Sequence, residues 1–221
     1  MFLGHFGLGF GAKRAAPVVS LGTFFMAAQF ADLLWPTLVL LGIERVELQP
    51  GATVVTPLNF VSYPYSHSLL ALAVWGLLFG GIYAAIRRSR LPVAITLALL
   101  VVSHWVLDYV THRPDMPLTL NGPQRLGLGL WNSMQATLAA ELAIFVIGVV
   151  LYARSTAPRD RAGSIGLWSL VTFLMVVYAA SIIGPPPPTA AAVAWSAEAM
   201  WLIVIWGYWV DNHRMPDRNR D

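Results

Sequence analysis

Apolar residues occur along this chain in long blocks rather than in alternation with polar ones. Six stretches reach the roughly 20 mostly apolar residues a helix needs to cross a bilayer. They are Ala16 to Ile43, Ser66 to Ile86, Leu91 to Thr111, Trp131 to Ala153, Gly163 to Ile183 and Thr189 to Val210. The first is the longest and contains Asp32 and Pro36, which predicts a kink near Pro36. Phe2 to Ala12 is apolar and glycine-rich but too short to span, and reads as a half-helix tucked into the bundle. Two polar loops are long: Glu44 to Tyr65, with Pro50, Pro57 and Pro64, and Arg113 to Leu130, with Pro114, Pro117 and Asn121-Gly122-Pro123. Pro185 to Pro188 form a rigid stop between the last two spans. The expected fold is all-α, a polytopic transmembrane helix bundle of six spans plus the half-helix. It forms one integral membrane domain over residues 1–221, in which 156–221 add two spans to a first part, 1–155.

Composition supports this. The chain is 57% hydrophobic and only 11% charged, against about a quarter charged for a soluble domain. Such a chain cannot coat a globule with solvated side chains and needs an apolar solvent. Nine Trp and seven Tyr suit the level where hydrocarbon meets headgroups. No cysteine is present, which excludes disulfides and thiolate metal sites. A pI near 9.5 could suggest nucleic acid. However, the basic residues sit in short clusters between apolar runs, so no nucleic-acid partner is expected. The opening Met1-Phe2-Leu3-Gly4-His5 lacks a basic n-region, and a cleavable signal peptide is not expected.

Orientation follows from the basic residues. One set of connections holds Lys13, Arg14, Arg87, Arg88, Arg90, Arg154, Arg159, Arg161, Arg214, Arg218 and Arg220; the other holds Arg45, Arg113 and Arg125. This asymmetry of eleven to three alternates correctly over six spans. The rich side is cytoplasmic by the positive-inside rule, with both termini there. The expected location is a bacterial inner membrane, with the two long loops on the far side covering the mouth of any site there.

Ionisable residues within spans are costly and mark function by default. Asp32, His104, Asp108, Glu141 and Glu198 occur within spans, and His67 sits where the second span begins. At a rise of about 1.5 Å per residue all fall in the outer half of the bilayer. His104 and Asp108 are four apart and share a helix face, which His112 extends by a turn. With Asp32 and His67 they offer a nitrogen and oxygen ligand set that suits zinc, with manganese or iron as other occupants. The bland reading is an internal hydrogen bond for the His-x-x-x-Asp pair, an interfacial role for His67 and helix-packing roles for Asp32, Glu141 and Glu198.

The order Gly4-His5, Ala31-Asp32-Leu33, Ser66-His67-Ser68 and His104 to Asp108 resembles the inner-membrane-associated, metal-dependent hydrolase family described as LexA-binding. That family is itself distantly similar to zinc-dependent phospholipase C. The likeness covers about the first half of the chain. The latter half, including Gly127 to Ser133, looks like a subgroup of bacterial membrane proteins. Ser66 stands where the family has Thr, and Asp32-Leu33-Leu34-Trp35-Pro36 stands where it carries an acidic cluster, which counts against a second metal. The resemblance implies hydrolysis at a metal.

Two functions then compete. In the first, a divalent cation held by Asp32, His67, His104 and Asp108 activates water and polarises a phosphoryl or acyl oxygen. His5 or His112 completes the shell or acts as general base, and Glu141 orients an outer ligand. The substrate would be a lipid or a lipid-linked ester or phosphoester, with membrane lipids as partners. In the second, the chain is a cation or proton transporter, a scaffold, or a haem protein with His67 and His104 as axial ligands. Transport fits less well because no internal repeat is detectable.

Overall fold

Helices pack against one another throughout the computed structural model, which describes residues 1–217. Arg218 and Arg220, counted above on the basic side, lie outside the described residues. A short helix α1 (Leu3–Gly11) leads through a 3-10 turn to α2 (Leu21–Ala28) and α3 (Phe30–Leu40). A hairpin of β1 (Arg45–Leu48) and β2 (Leu58–Ser62) and a one-turn helix α4 (Pro64–His67) follow. Then come α5 (Leu69–Arg87), α6 (Leu91–Thr111), a second small hairpin of β3 (Met116–Pro117) and β4 (Arg125–Leu126), and α7 (Met134–Ser155). The chain closes with β5 (Thr156–Pro158), α8 (Arg161–Ile183), α9 (Ala190–Glu198), α10 (Met200–Asn212) and β6 (Arg214–Pro216). By length and composition α5, α6, α7, α8 and the α9–α10 pair can each cross a membrane, and the number rises to six if the bent α2–α3 pair is one broken span rather than a re-entrant loop. The chain is an integral membrane bundle.

Local chemistry sets where the helices begin. Ser20, Ser68, Ser133, Asp160 and Thr189 each sit just before a helix, and their side-chain oxygens accept the free backbone N–H three residues on. The long loops are more ordered than their composition suggests: β1 pairs antiparallel with β2, Glu47 opposite Asn59, and β3 with β4. Likewise β5 and β6 tie the α7–α8 connection to the segment after α10, with Arg214 buried and bonded to the Thr156 and Gly163 carbonyls at 2.9 and 3.0 Å.

The first span bends by 57° at Gln29, between α2 and α3, and not at Pro36, which lies inside α3. Proline removes one N–H from a helix, yet α3 carries through it. The break one residue after Ala28 has a clearer cause. It frees the Ala28 carbonyl from the helical ladder, and that carbonyl accepts from His104 Nδ1 at 2.9 Å.

The half-helix α1 is almost wholly buried and lies against α7. Gly7 and Gly148 let the two backbones touch: a Cβ on Gly148 would sit 1.9 Å from the Gly7 carbonyl oxygen. The same device joins α5 to α6, where Gly76 and Gly80 face the backbone of Ala98 and Ala94. Around α1, Phe6 and Phe10 pack edge-on against Phe25, with Phe10 also against Tyr152. A second cluster gathers α2, α3, α5 and α6 around Phe24, Trp35, Leu97 and Trp105. Lys13, buried at the far end of α1, donates to the Val19 carbonyl and to Asp211 Oδ2, both at 2.8 Å. Met1 is buried beside Asp108. One end of the half-helix therefore sits within the bundle at the polar cluster, while Lys13 holds the other end against α10.

Candidate metal centre

Four helices deliver the polar cluster. Asp32 comes from the first turn of α3, His67 from the end of α4, His104 and Asp108 from successive turns of α6, His5 from α1, and His112 from the residue that ends α6. All but Asp32 are buried to 2% exposure or less. Asp32 is less enclosed because it faces a cavity.

Four donor atoms converge. His67 Nε2 lies 3.4 Å from Asp32 Oδ1 and 3.8 Å from Asp108 Oδ2. His104 Nε2 lies 3.7 Å from Asp32 Oδ1 and 3.2 Å from Asp108 Oδ2. A tetrahedral ion with bonds of 2.0–2.2 Å requires ligand–ligand edges of about 3.3–3.6 Å. The measured separations bracket that range, and each residue contributes the same atom to both of its edges.

The tautomers are set by neighbours. A carbonyl only accepts, so the bond to Ala28 places the proton of His104 on Nδ1 and turns the Nε2 lone pair into the cluster. For His67, the Ser66 hydroxyl donates to Glu44 Oε2 at 2.6 Å and accepts from His67 Nδ1 at 2.7 Å, again leaving Nε2 free. Glu44 is fixed in turn by the backbone N–H groups of Tyr65 and Ser66 at 2.8 and 2.9 Å. His104 Nε2 has no hydrogen-bond partner although it is buried. A buried nitrogen lone pair facing two carboxylate oxygens is matched by a cation placed between them.

His5 and His112 flank this set. His5 Nε2 donates to Asp108 Oδ1 at 3.0 Å and its ring stacks on His104, centroids 3.7 Å apart. The Met1 amine pairs with the same oxygen. Asp108 is thus held on one oxygen by α1 and presents the other to the cluster. Two overlapping triads are available, His5–His104–Asp108 and Asp32–His67–His104. Both depend on the single Nε2 lone pair of His104, so only one of them can be filled through it at a time. His112 Nε2 stands 3.8 Å from Asp108 Oδ2, and its Nδ1 bonds Asp115 Oδ1 at 2.9 Å. Tyr63 donates to the same Asp115 oxygen at 3.0 Å. Burial first, and then the Asp115 carboxylate, push the Tyr63 phenol well above its ordinary value, so it stays a donor.

The two remaining acids lie apart from the centre. Both oxygens of Glu141 are occupied by α1, accepting from Phe2 N–H and from Gly4 N–H at 3.0 Å. Glu141 caps the half-helix that carries His5 and does not orient a ligand directly. Glu198 accepts from Thr37 Oγ1 at 2.6 Å, a link between α3 and α9. The Asp32 and Asp108 oxygens each lie 3.2–3.8 Å from both Nε2 atoms, so two acids stand between the histidines that a haem would need as axial ligands.

Glu44 and Asp115 were not legible as part of the site. Glu44 acts across 22 positions in sequence, which no local pattern reports. The spacing His112-x-x-Asp115 was a signal, but it lies in a proline-containing loop rather than on a helix face.

The cluster opens on a cavity of about 740 Å³. Phe60 of β2 and Trp131 of the 3-10 turn before α7 cover His112, ring centroids 4.8 and 4.2 Å away. The first long loop also meets that turn directly, Val55 N–H donating to the Trp131 carbonyl at 3.2 Å. Comparison of the chain with protein-family models, curated proteins and solved structures finds no match, so its functional reading rests on the geometry of this centre.

Proposed function

We propose that the chain is a membrane-embedded, metal-dependent hydrolase acting on a lipid or a lipid-linked ester or phosphoester, as its resemblance to the LexA-binding hydrolase family implies. The observation that carries the reading is that Asp32 and Asp108 each bring one oxygen within 3.2–3.8 Å of both His67 Nε2 and His104 Nε2, four separations close to those of a tetrahedral site. Those four residues would hold the cation, with zinc first and manganese or iron as alternatives. Bound there, the cation supplies a Lewis acid for the substrate oxygen and a nucleophile at neutral pH.

The chain's own groups do the rest. His5 fixes Asp108 and is a positioning residue. His112 has its proton held on Nδ1 by Asp115, so its Nε2 lone pair is free to accept a proton at the mouth of the centre. Phe60 and Trp131 limit water there. Under the positive-inside reading the centre faces the outer half of a bacterial inner membrane, at headgroup level.

Elemental analysis of the purified protein, paired with hydrolysis assays on phospholipid and acylglycerol vesicles, tests this. Stoichiometric zinc and product release that chelation stops are the expected results. A protein that binds no divalent metal when loaded defeats the reading.

A further inference from the structure

Beyond the acid–histidine cluster the cavity continues among α8, α9 and α10. Its wall there comes from Phe173 and Val177 of α8, Val193 and Ala197 of α9, and Leu202 and Trp206 of α10. Two hydroxyls face this arm, and both are bonded to their own helices. Ser181 donates to the Tyr178 carbonyl at 2.7 Å, and Ser196 to the Ala192 carbonyl at 2.8 Å. Among the described residues no Lys or Arg lines the cavity. A sugar, nucleotide or peptide placed there would lose its water and find no partner. A hydrocarbon chain needs none, and moves from lipid to such a wall without loss, since lipid tails and apolar side chains are equivalent surroundings.

The arm also reaches the bundle surface. Leu202 is 67% exposed and Phe173 41% exposed, on the faces that meet lipid. The Phe173 and Trp206 rings pack at 5.5 Å. The same pair lines a shallow outer groove that runs along α8 past Trp168 and Thr172. Phe173 and Trp206 therefore stand between the cavity and the lipid-facing groove. A volume of about 740 Å³ is within the range that buries a small ligand.

We infer that this arm seats one hydrocarbon chain of a membrane lipid, admitted sideways between α8 and α10 past Phe173 and Trp206, with the polar end of the lipid left at the acid–histidine cluster. The inference rests on the hydrolase reading for the fate of that polar end; the chain seat itself stands on the cavity.

The full chain, reconstituted in phosphatidylethanolamine–phosphatidylglycerol vesicles, is irradiated with a phospholipid bearing a diazirine at the end of one acyl chain. Adducts are then mapped by peptide mass spectrometry. Met200 and Ile203, only 8% and 6% exposed, should carry adducts. In Ala197→Trp those adducts should fall to background, while adducts on Leu77, 71% exposed on α5, persist. Wild-type labelling confined to exposed positions such as Leu77 overturns the inference, and this result does not depend on any variant folding. A folded His104→Ala protein should keep the Ile203 adducts, and their loss also overturns it. Adducts retained on Ile203 by a protein that never hydrolyses the phospholipid support the seat and remove only the hydrolase reading.

Discussion

His104 donates through Nδ1 to the carbonyl of Ala28, 2.9 Å away, across the break in the first span. One hydrogen bond thereby ties the bend of α2–α3 to the orientation of the ring at the middle of the site. The bend also swings the first turn of α3, and with it Asp32, toward α6.

His104→Ala should abolish metal binding, because it removes the donor common to both overlapping triads. Glu198→Ala should leave it intact, since Glu198 bonds Thr37 and lies outside the cluster. Metal content after loading and desalting distinguishes the two. Equal content in both variants would remove the four-ligand centre.

Glu44→Gln should weaken metal affinity by about 10–100-fold, the usual cost of losing a partner that orients a ligand. The amide cannot accept from the Tyr65 and Ser66 N–H groups and the Ser66 hydroxyl on both ends as the carboxylate does. Competition with a chelator of known affinity measures the change, and an unaltered affinity would separate Glu44 from the site. Asp115→Asn should instead lower turnover more than metal content, because Asp115 holds His112 rather than one of the four ligands.

Gly148→Val should loosen α1 from α7. Its new Cβ would meet the Gly7 carbonyl oxygen at 1.9 Å, and overpacking of this kind costs about 1–3 kcal/mol. A lower thermal midpoint together with reduced metal content is the expected result, since α1 carries His5 to Asp108. A protein of unchanged stability would show that α1 docks differently.

Reporter fusions after Arg90 and after Arg161 should both read as cytoplasmic, as the eleven-to-three distribution of basic residues requires. A signal from the opposite side at either point would invert the proposed sidedness.

Stability at low pH should depend on Asp160, which caps α8. The hydrogen bond from His213, reinforced by the Gly163 N–H, holds its carboxyl below the ordinary carboxylate value. A depressed folded pKa contributes stability that is complete above the unfolded value near 4 and is lost as pH falls through the folded value. Asp160→Asn should flatten the difference in thermal midpoint between neutral pH and pH below about 4. An identical difference in both proteins would show that the cap contributes nothing to the acid response.

The sequence by itself determined the spans, because twenty apolar residues in a row admit few other structures, and each long helix falls on a stretch read from hydropathy. It also placed His104 and Asp108 on one face, since that relation depends only on helical spacing. The half-helix was legible as a segment too short to span, and Glu141 as an acid in the wrong solvent. Only the tertiary structure decided that the first span breaks at Gln29 rather than bending at Pro36, because the acceptor that stabilises the break is donated to from α6. Only it decided that Glu141 caps α1, that Glu44 reaches Ser66 and that Asp115 holds His112. Those relations join residues distant in sequence or set in loops, where no periodicity records them. The apolar arm between α8 and α10 was likewise invisible beforehand, since the same leucines and tryptophans serve equally well against lipid, against another helix or around a cavity.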